Sequence, residues 1–196
     1  MSLESLPEFI RTFYEVHEWK HAIAILKNDF PKEWQDIIEI LTNFRLRQSD
    51  IQKPGGRKSS IAEAIDGAFY KRGWEEKNFH TKVVVDTKEM ESPTHKVDCY
   101  KNHIALEVEW NNKDPFFDRD LNNFRLLFEL RVISVGVIIT RTDELQIIFD
   151  GLAKGSSYGS STTHMSKLLP RIEGGGGGGC PILAFGISEK LYVMGE

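Results

Sequence analysis

The sequence predicts an α/β fold in which a mixed central sheet is flanked by helices. Two segments, VISVGVIIT at 132–140 and PILAFGI at 181–187, are apolar at nearly every position, which is typical of strands covered on both faces. Segments with apolar residues at helical spacing lie before and between them. This alternation of strands and helices indicates a sheet with helices packed on its faces.

The N-terminal third is predicted to be largely helical. Helices are expected at 21–30 and at 31–46, the second opened by Pro31, which suits a first turn. The segment FIRTFYEVHEW at 9–19 fits either a strand or the start of a helix, because it is rich in aromatic and β-branched residues. The serines that open SSIAEAIDGAFYKRG, and Gly73 at its end, predict a further helix.

The rest of the chain is expected to form an α/β core. It begins with the strand TKVVVD at 81–86, followed by a hairpin made of KVDCY and HIALEVEW. A helix at 114–131 follows, and the helices DELQIIFDGLAK and HMSKLLPRI lie between the two apolar strands, on either side of the loop GSSYGSSTT. The run Gly174–Gly179 lacks the Gly-Lys-Ser/Thr ending of a phosphate loop and predicts flexible linkage.

Length and composition indicate one soluble domain. The chain has 196 residues, of which 40% are hydrophobic and 28% charged, enough for a real core and typical of a folded protein. We expect a single domain over 1–196, with a helical part and basic loop at 1–58 and an α/β core at 59–196. No apolar run is long enough for a membrane span, so we expect a cytoplasmic protein with no membrane partner. The two cysteines, Cys99 and Cys180, are too few for a disulfide framework.

The net charge of −4 argues mildly against a nucleic-acid partner, but the charges are unevenly distributed. Basic residues are concentrated in one segment with Asp50 as its acid: Arg45, Arg47, Lys53, Arg57 and Lys58. Taken alone, this segment is typical of a solvated loop.

Three carboxylates on the hairpin are candidates for a metal site. In the second strand, Glu107 and Glu109 lie on one face, while the apolar residues lie on the other. Asp98 on the first strand can approach Glu107, and two such carboxylates repel unless a cation or a proton lies between them. Oxygen ligands favour Mg²⁺ or Mn²⁺, which can polarise a phosphoryl oxygen and orient a water. The alternative is that the glutamates occupy the solvated face of an amphipathic edge strand.

The segment VDCYKNHIALEVEWNNKDPF resembles the active-site hairpin of type II restriction endonucleases of the BglII/BstYI group, within the PD-(D/E)XK nuclease superfamily. The resemblance extends in the same order through YEVHEWKHAIAIL, FPKEWQDIIEIL, GGRKSSI, ISVGVIIT and the glycine-rich approach to CPILAFGI. It implies a homodimeric enzyme that hydrolyses double-stranded DNA at a short palindromic site with a GATC-like centre. It also implies Mg²⁺ as the cofactor, with Mn²⁺ able to substitute.

The resemblance also implies roles for individual residues. Asp98 and Glu107 match the metal-binding carboxylates, and the carbonyl of Val108 matches a third ligand. The superfamily usually has lysine at the position of Glu109, whereas close relatives have glutamine and BamHI-like enzymes have glutamate. Glu109 would accept a proton from water or bind a second ion. Glu63 is a further candidate acid, since superfamily members often direct a carboxylate from this helix toward the metal; Asp66 lies on the same helix.

DNA contacts are expected from three segments. The basic loop and the helix start after it would bind backbone phosphates through Arg57, Lys58 and Ser59. The segment after the hairpin would contact bases through Asn111 and Asn112, since asparagine can pair with adenine in the major groove. The loop GSSYGSSTT at 155–163, called the serine-rich loop below, would contribute Ser156, Ser157 and Tyr158.

Two alternative functions use the same fold. One is a protein that binds a DNA sequence without cutting it, although the intact set of three carboxylates argues against it. The other is a repair or replication nuclease that recognises DNA structure rather than sequence.

Overall fold

The computed structural model describes residues 3–53, 58–92 and 94–195. Ten strands are formed within these ranges: β1 Tyr14–Trp19, β2 Leu46–Arg47, β3 Glu75–Lys77, β4 Thr81–Val85, β5 Lys88–Ser92, β6 Val97–Lys101, β7 Ile104–Val108, β8 Val135–Arg141, β9 Ile182–Ile187 and β10 Tyr192–Val193. The α-helices of the same ranges are α1 Glu8–Phe13, α2 Ala22–Asp29, α3 Pro31–Asn43, α4 Gln48–Gln52, α5 Ser60–Tyr70, α6 Phe116–Glu129, α7 Leu145–Gly151 and α8 Met165–Glu173.

A six-stranded mixed sheet forms the centre of the molecule, in the order β1-β9-β8-β7-β6-β3. The three middle strands β7, β8 and β9 are parallel, and every residue of each is buried. The outer strands β1, β6 and β3 join antiparallel. The predicted mixed α/β fold is therefore confirmed, and the two apolar segments form its parallel centre, as expected for strands covered on both faces.

Each face of the sheet packs against its own set of helices. One core joins the sheet to the N-terminal helices, α5 and α7, and includes Ile37, Phe69, Leu106 and Phe149. The other core joins it to α6 and α8. Because α5 and α6 cover opposite faces, they approach the hairpin β6–β7 from its two sides.

The ambiguous segment at 9–19 divides into both predicted structures. Helix α1 ends at Phe13, and Tyr14 begins β1 directly. Strand β1 pairs along its whole length with β9, and the hydroxyl of Tyr14 donates a hydrogen bond to the carbonyl of Leu41 at 2.7 Å. The N-terminal part therefore supplies a strand to the main sheet as well as helices; the division at residue 58 remains a prediction.

Two predictions about the remaining segments are wrong. The segment TKVVVD forms a strand, β4, but it pairs with β5 in a separate hairpin instead of opening the core. Val84 and Val85 are 61% and 53% exposed there, so β-branched composition predicted the strand but not its burial. The glycine run at 174–179 forms a series of turns rather than a flexible linker. It packs closely against the protein, since a side chain at Gly177 would clash with Ile182.

Candidate active site

The hairpin β6–β7 brings Asp98 and Glu107 together. Cys99 pairs with Leu106, and this register places Asp98 opposite Glu107 one step further. Each carboxylate reaches the backbone of the other strand: the amide of Asp98 donates to Glu107 Oε2 at 3.2 Å, and the amide of Val108 donates to Asp98 Oδ2 at 3.1 Å. These reciprocal hydrogen bonds hold both side chains on the same side of the hairpin.

Both faces of β7 are covered by protein. The alternate apolar residues of this strand lie in the core on the α5 side, as predicted: Ile104, Leu106, Val108 and Trp110. Glu107 and Glu109 face the other way but are each only 1% exposed. The alternative of a solvated glutamate face is therefore wrong.

Glu107 is held in an environment that opposes its ionisation. Burial, followed by the neighbouring carboxyls of Asp120 and Asp98, raises its pKa well above the ordinary value. Its Oε1 atom is buried and accepts no hydrogen bond from the described residues. A buried carboxylate oxygen without a partner is costly, which makes this atom available to an additional ligand.

Glu109 follows the last residue of β7 and is fixed by groups from two directions. Asn112 Nδ2 donates to its Oε2 at 2.8 Å, and Arg119 Nη2 approaches its Oε1 at 3.2 Å. Its own amide donates to the carbonyl of Ile139 in β8 at 2.9 Å. Burial and the adjacent carboxyl of Asp120 nevertheless raise its pKa to about 9.

Helix α6 contributes Asp120 and Arg119, which the sequence analysis did not select. Asp120 is fully buried, and Arg119 Nη2 lies 2.7 Å from its Oδ1. One sequence signal could have identified Asp120: it occupies the apolar face of α6, three residues after Phe117 and four before Phe124. A carboxylate on a buried helical face requires a partner.

On α5, it is Asp66 rather than Glu63 that lies against the hairpin. Asp66 is 1% exposed, its Oδ1 accepts a hydrogen bond from Cys99 Sγ at 3.6 Å, and its Oδ2 forms an ion pair with Lys58. Burial raises the pKa of Asp66 to about 6, and Lys58 opposes the increase. Glu63 lies one turn earlier on the exposed side of the helix.

The family comparison gives this geometry a context. The family model of restriction endonuclease BglII/BglIII matches residues 14–187, from the first residue of β1 to the last residue of β9. The chain belongs to this family. No curated protein matches the chain. As a member of the BglII/BglIII family, it is a type II site-specific deoxyribonuclease, and its partner is double-stranded DNA.

The family also indicates the class of cofactor. Enzymes of the BglII/BglIII family use divalent metal ions. In the described ranges, no helix is both long and apolar enough to cross a membrane.

Two of the residues predicted to bind phosphates, Lys58 and Ser59, lie at the start of α5. Ser59 caps this helix, its hydroxyl accepting a hydrogen bond from the amide of Ala62 at 3.1 Å. Lys58 is partly exposed and directs its ammonium to Asp66. Arg57 lies outside the described residues.

The two asparagines after β7 differ in their surroundings. Asn112 is bound to Glu109 through its side chain and to Thr163 through its backbone. Asn111 has a φ of +59°, a left-handed conformation that asparagine tolerates better than most residues. Both are half-buried beside the carboxylates.

The serine-rich loop separates into exposed and buried positions. Ser156 and Ser157 are exposed. Tyr158 is only 6% exposed, and its ring stacks on Phe149 with centroids 4.0 Å apart. The predicted contact of Tyr158 with DNA does not agree with this burial; the ring anchors the loop to the core instead.

The carboxylates of the hairpin would hold a divalent cation with few protein ligands, and the site is not a complete protein cage around an ion. Among the residues that the structure describes, no three His, Cys, Asp or Glu side chains form a ready ligand set. Asp98 and Glu107, with the unpartnered Oε1 atom of Glu107, supply one or two carboxylates, which is the usual protein contribution to a partly hydrated Mg²⁺.

Proposed function

We propose that this endonuclease cleaves a short palindromic DNA site with a GATC-like centre, as a homodimer that uses Mg²⁺ bound by Asp98 and Glu107. The observation that supports the proposal best is the pair of opposed carboxylates, since one oxygen of Glu107 is buried and receives no hydrogen bond from the part of the chain that the structure describes. The backbone carbonyl of Val108 would be the third protein ligand. Mn²⁺, which also prefers oxygen ligands, would substitute.

The metal ion, when bound, would polarise the phosphoryl oxygen and lower the pKa of a water molecule. The residues of the chain determine where that chemistry occurs. The reciprocal bonds between the strands of the hairpin keep Asp98 and Glu107 in place without rearrangement. Burial of Glu107 favours the binding of a cation, since the positive charge offsets the cost of a buried carboxylate.

Glu109 would accept the proton of the attacking water, or bind a second ion. It is well placed for either role because Asn112 and Arg119 orient both of its oxygens. It can accept a proton only as a carboxylate, and a cation beside it favours that form. The raised pKa of the metal-free site therefore makes proton acceptance dependent on the bound ion. Asp66 is a better candidate than Glu63 for the acid contributed by α5, because it is buried against Cys99.

DNA would approach the molecule on the side that carries the N-terminus of α5 and residues 111–112. Lys58, Ser59 and Arg57 would bind phosphates, while Asn111 and Asn112 would contact bases with the exposed Ser156 and Ser157. Two-fold symmetry of a homodimer would match the two halves of a palindrome. We also propose that the enzyme acts in the cytoplasm, where duplex DNA is accessible.

The proposal is tested by digesting unmethylated plasmid DNA with Mg²⁺, Mn²⁺ or EDTA. We expect discrete fragments with either metal ion and none with EDTA, and sequencing of the fragment ends gives the site. Glu107→Gln should reduce the rate roughly a thousandfold or more, since metal-ion stabilisation is worth several kcal/mol and each 1.36 kcal/mol is a factor of ten.

The matched control is Glu76→Gln, which removes an exposed strand carboxylate paired with Lys96. It should cleave like the unmodified enzyme. Cleavage by Glu107→Gln at the normal rate would refute the ligand assignment, and a smear in place of bands would refute site specificity. Sedimentation of the DNA complex as a monomer would refute the homodimer.

A further inference from the structure

Thr163 joins the candidate catalytic segment to the serine-rich loop. It is fully buried and makes three hydrogen bonds to the segment after β7. Its amide donates to the carbonyl of Asn112 at 2.8 Å, and its hydroxyl accepts from the amide of Asn112 at 3.2 Å. The same hydroxyl donates to the carbonyl of Glu109 at 3.2 Å. A hydroxyl has one proton to donate and two lone pairs, so it can serve both groups at once.

Asn112 carries the connection to the carboxylate of Glu109. Its Nδ2 atom donates to Glu109 Oε2 at 2.8 Å. A primary amide has two donor hydrogens and one acceptor oxygen. While one hydrogen binds Glu109, the other hydrogen and the oxygen remain available for the edge of a base, which is the bidentate arrangement for adenine.

The serine-rich loop is attached to the same segment at further points. The amide of Asp114 donates to the carbonyl of Ser161 at 3.0 Å, and Lys113 forms a β-bridge with Thr162. From the other side, the buried guanidinium of Arg141 donates to the carbonyl of Tyr158 at 2.9 Å and to the hydroxyl of Thr162 at 3.1 Å. A displacement of this loop is therefore transmitted to residues 109–114.

We propose that Thr163 is a positioning residue that couples recognition of the DNA sequence to the placement of Glu109. The inference rests on the proposed function, because it takes Asn112 and the exposed serines as the groups that contact bases. When Asn112 binds the correct base, Thr163 keeps the backbone of Asn112 fixed, and the side-chain amide of Asn112 keeps the carboxylate of Glu109 oriented. When the base is wrong, the side-chain amide of Asn112 is displaced and no longer holds Glu109. Cleavage then slows in addition to the loss of binding.

The decisive variants are Thr163→Val and Thr163→Ser. Valine keeps the shape of the buried side chain and removes both hydroxyl hydrogen bonds, whereas serine keeps the hydroxyl. The matched control is Thr142→Val, since Thr142 is also buried but its hydroxyl has no hydrogen-bond partner among the described residues. Thermal unfolding of the three variants verifies that each is folded.

The main measurement is single-turnover cleavage of the recognised site and of sites with one base pair changed. We expect Thr163→Val to cut the recognised site more slowly by roughly tenfold or more, because both hydroxyl hydrogen bonds are lost, and to discriminate less well against changed sites. Thr163→Ser should restore both the rate and the discrimination. Thr142→Val should behave like the unmodified enzyme.

A second measurement requires neither DNA nor metal. Amide hydrogen exchange at Asn112 should be faster in Thr163→Val, because its acceptor is removed, and normal in Thr163→Ser and Thr142→Val. Unchanged exchange in Thr163→Val would overturn the inference, as would normal discrimination between sites whatever the absolute rate. If the unmodified enzyme cuts no DNA, the proposed function fails, and that result is distinct because it appears before any variant is made.

Discussion

The buried acids on the two sides of the hairpin, next to α5 and next to α6, differ in how many cationic partners they have. On the α5 side, Asp66 has Lys58 as its own ion-pair partner. On the α6 side, Glu109 and Asp120 share the guanidinium of Arg119. Burial raises the pKa of Asp66 to about 6, whereas burial together with Asp120 raises that of Glu109 to about 9.

The difference indicates where the site lacks positive charge. One cation for one carboxylate offsets much of the cost of burying Asp66. One cation for two carboxylates leaves the α6 side with excess negative charge. Glu107 faces this side as well, and its Oε1 atom has no hydrogen-bond partner within the described ranges. A divalent cation would meet this deficit, which is consistent with the proposed metal ligands.

The largest stability effect should come from removing the shared cation. Arg119→Ala removes the guanidinium that both Glu109 and Asp120 contact and leaves their buried oxygens without its hydrogen bonds, so we expect the free energy of unfolding to fall by about 3 kcal/mol in EDTA. Lys58→Ala should cost about 1 kcal/mol or less, because Lys58 is partly exposed. Urea unfolding of both variants measures the comparison. Equal losses would mean that the two sides are not different.

A smaller effect should follow from moving α6 away from the sheet. A Cβ atom at Gly136 in β8 would clash with the ring of Phe124, so Gly136→Ala should destabilise the protein by about 1–3 kcal/mol. The control lies in α5, where nothing is within 4 Å of a Cβ atom at Gly67. Gly67→Ala should stabilise the helix by about 0.5–1 kcal/mol.

Thermal unfolding of these two glycine variants measures the contrast. A neutral Gly136→Ala would show that α6 can shift without cost. It would then be a poor support for Arg119 and Asp120, and the comparison between the two sides would lose its structural basis.

The two sides should also differ in the pH range over which stability changes. A carboxyl whose pKa is higher in the folded protein holds more protons there, so the free energy of unfolding falls as the pH rises. For Asp66 the fall lies between its ordinary value of 3.8 and about 6, and for Glu109 between 4.5 and about 9. Each group contributes at most about 1.4 kcal/mol per pH unit.

Urea unfolding in EDTA from pH 5 to 9 separates the two contributions. Glu109→Gln should flatten the profile between pH 6 and 9, and Asp66→Asn should leave that range unchanged. A slope that survives in Glu109→Gln would assign the upper range to Glu107 or Asp120, whose pKa values are also raised by burial.

Several features of the fold could be predicted because their signals are local. The apolar runs of β8 and β9 predicted buried strands, and Pro31 and Ser59 marked helix starts that the structure confirms. Strand β4 shows the limit of such signals: its valines predicted a strand, but its position outside the main sheet depends on which partner it meets. The glycine run has no periodic signal, and its packing depends on Ile182 and α6.

For the site, the alternation along β7 by itself determined that Glu107 and Glu109 share one face, and the hairpin turn set Asp98 opposite Glu107. Only the tertiary structure decided that this face is buried and that, on the opposite side of the hairpin, Asp66 rather than Glu63 lies against Cys99. It also brought in Asp120, Arg119 and Thr163 from distant helices and loops. The physical reason is that strand periodicity acts between neighbouring residues, whereas burial and ion pairing depend on elements far apart in the chain.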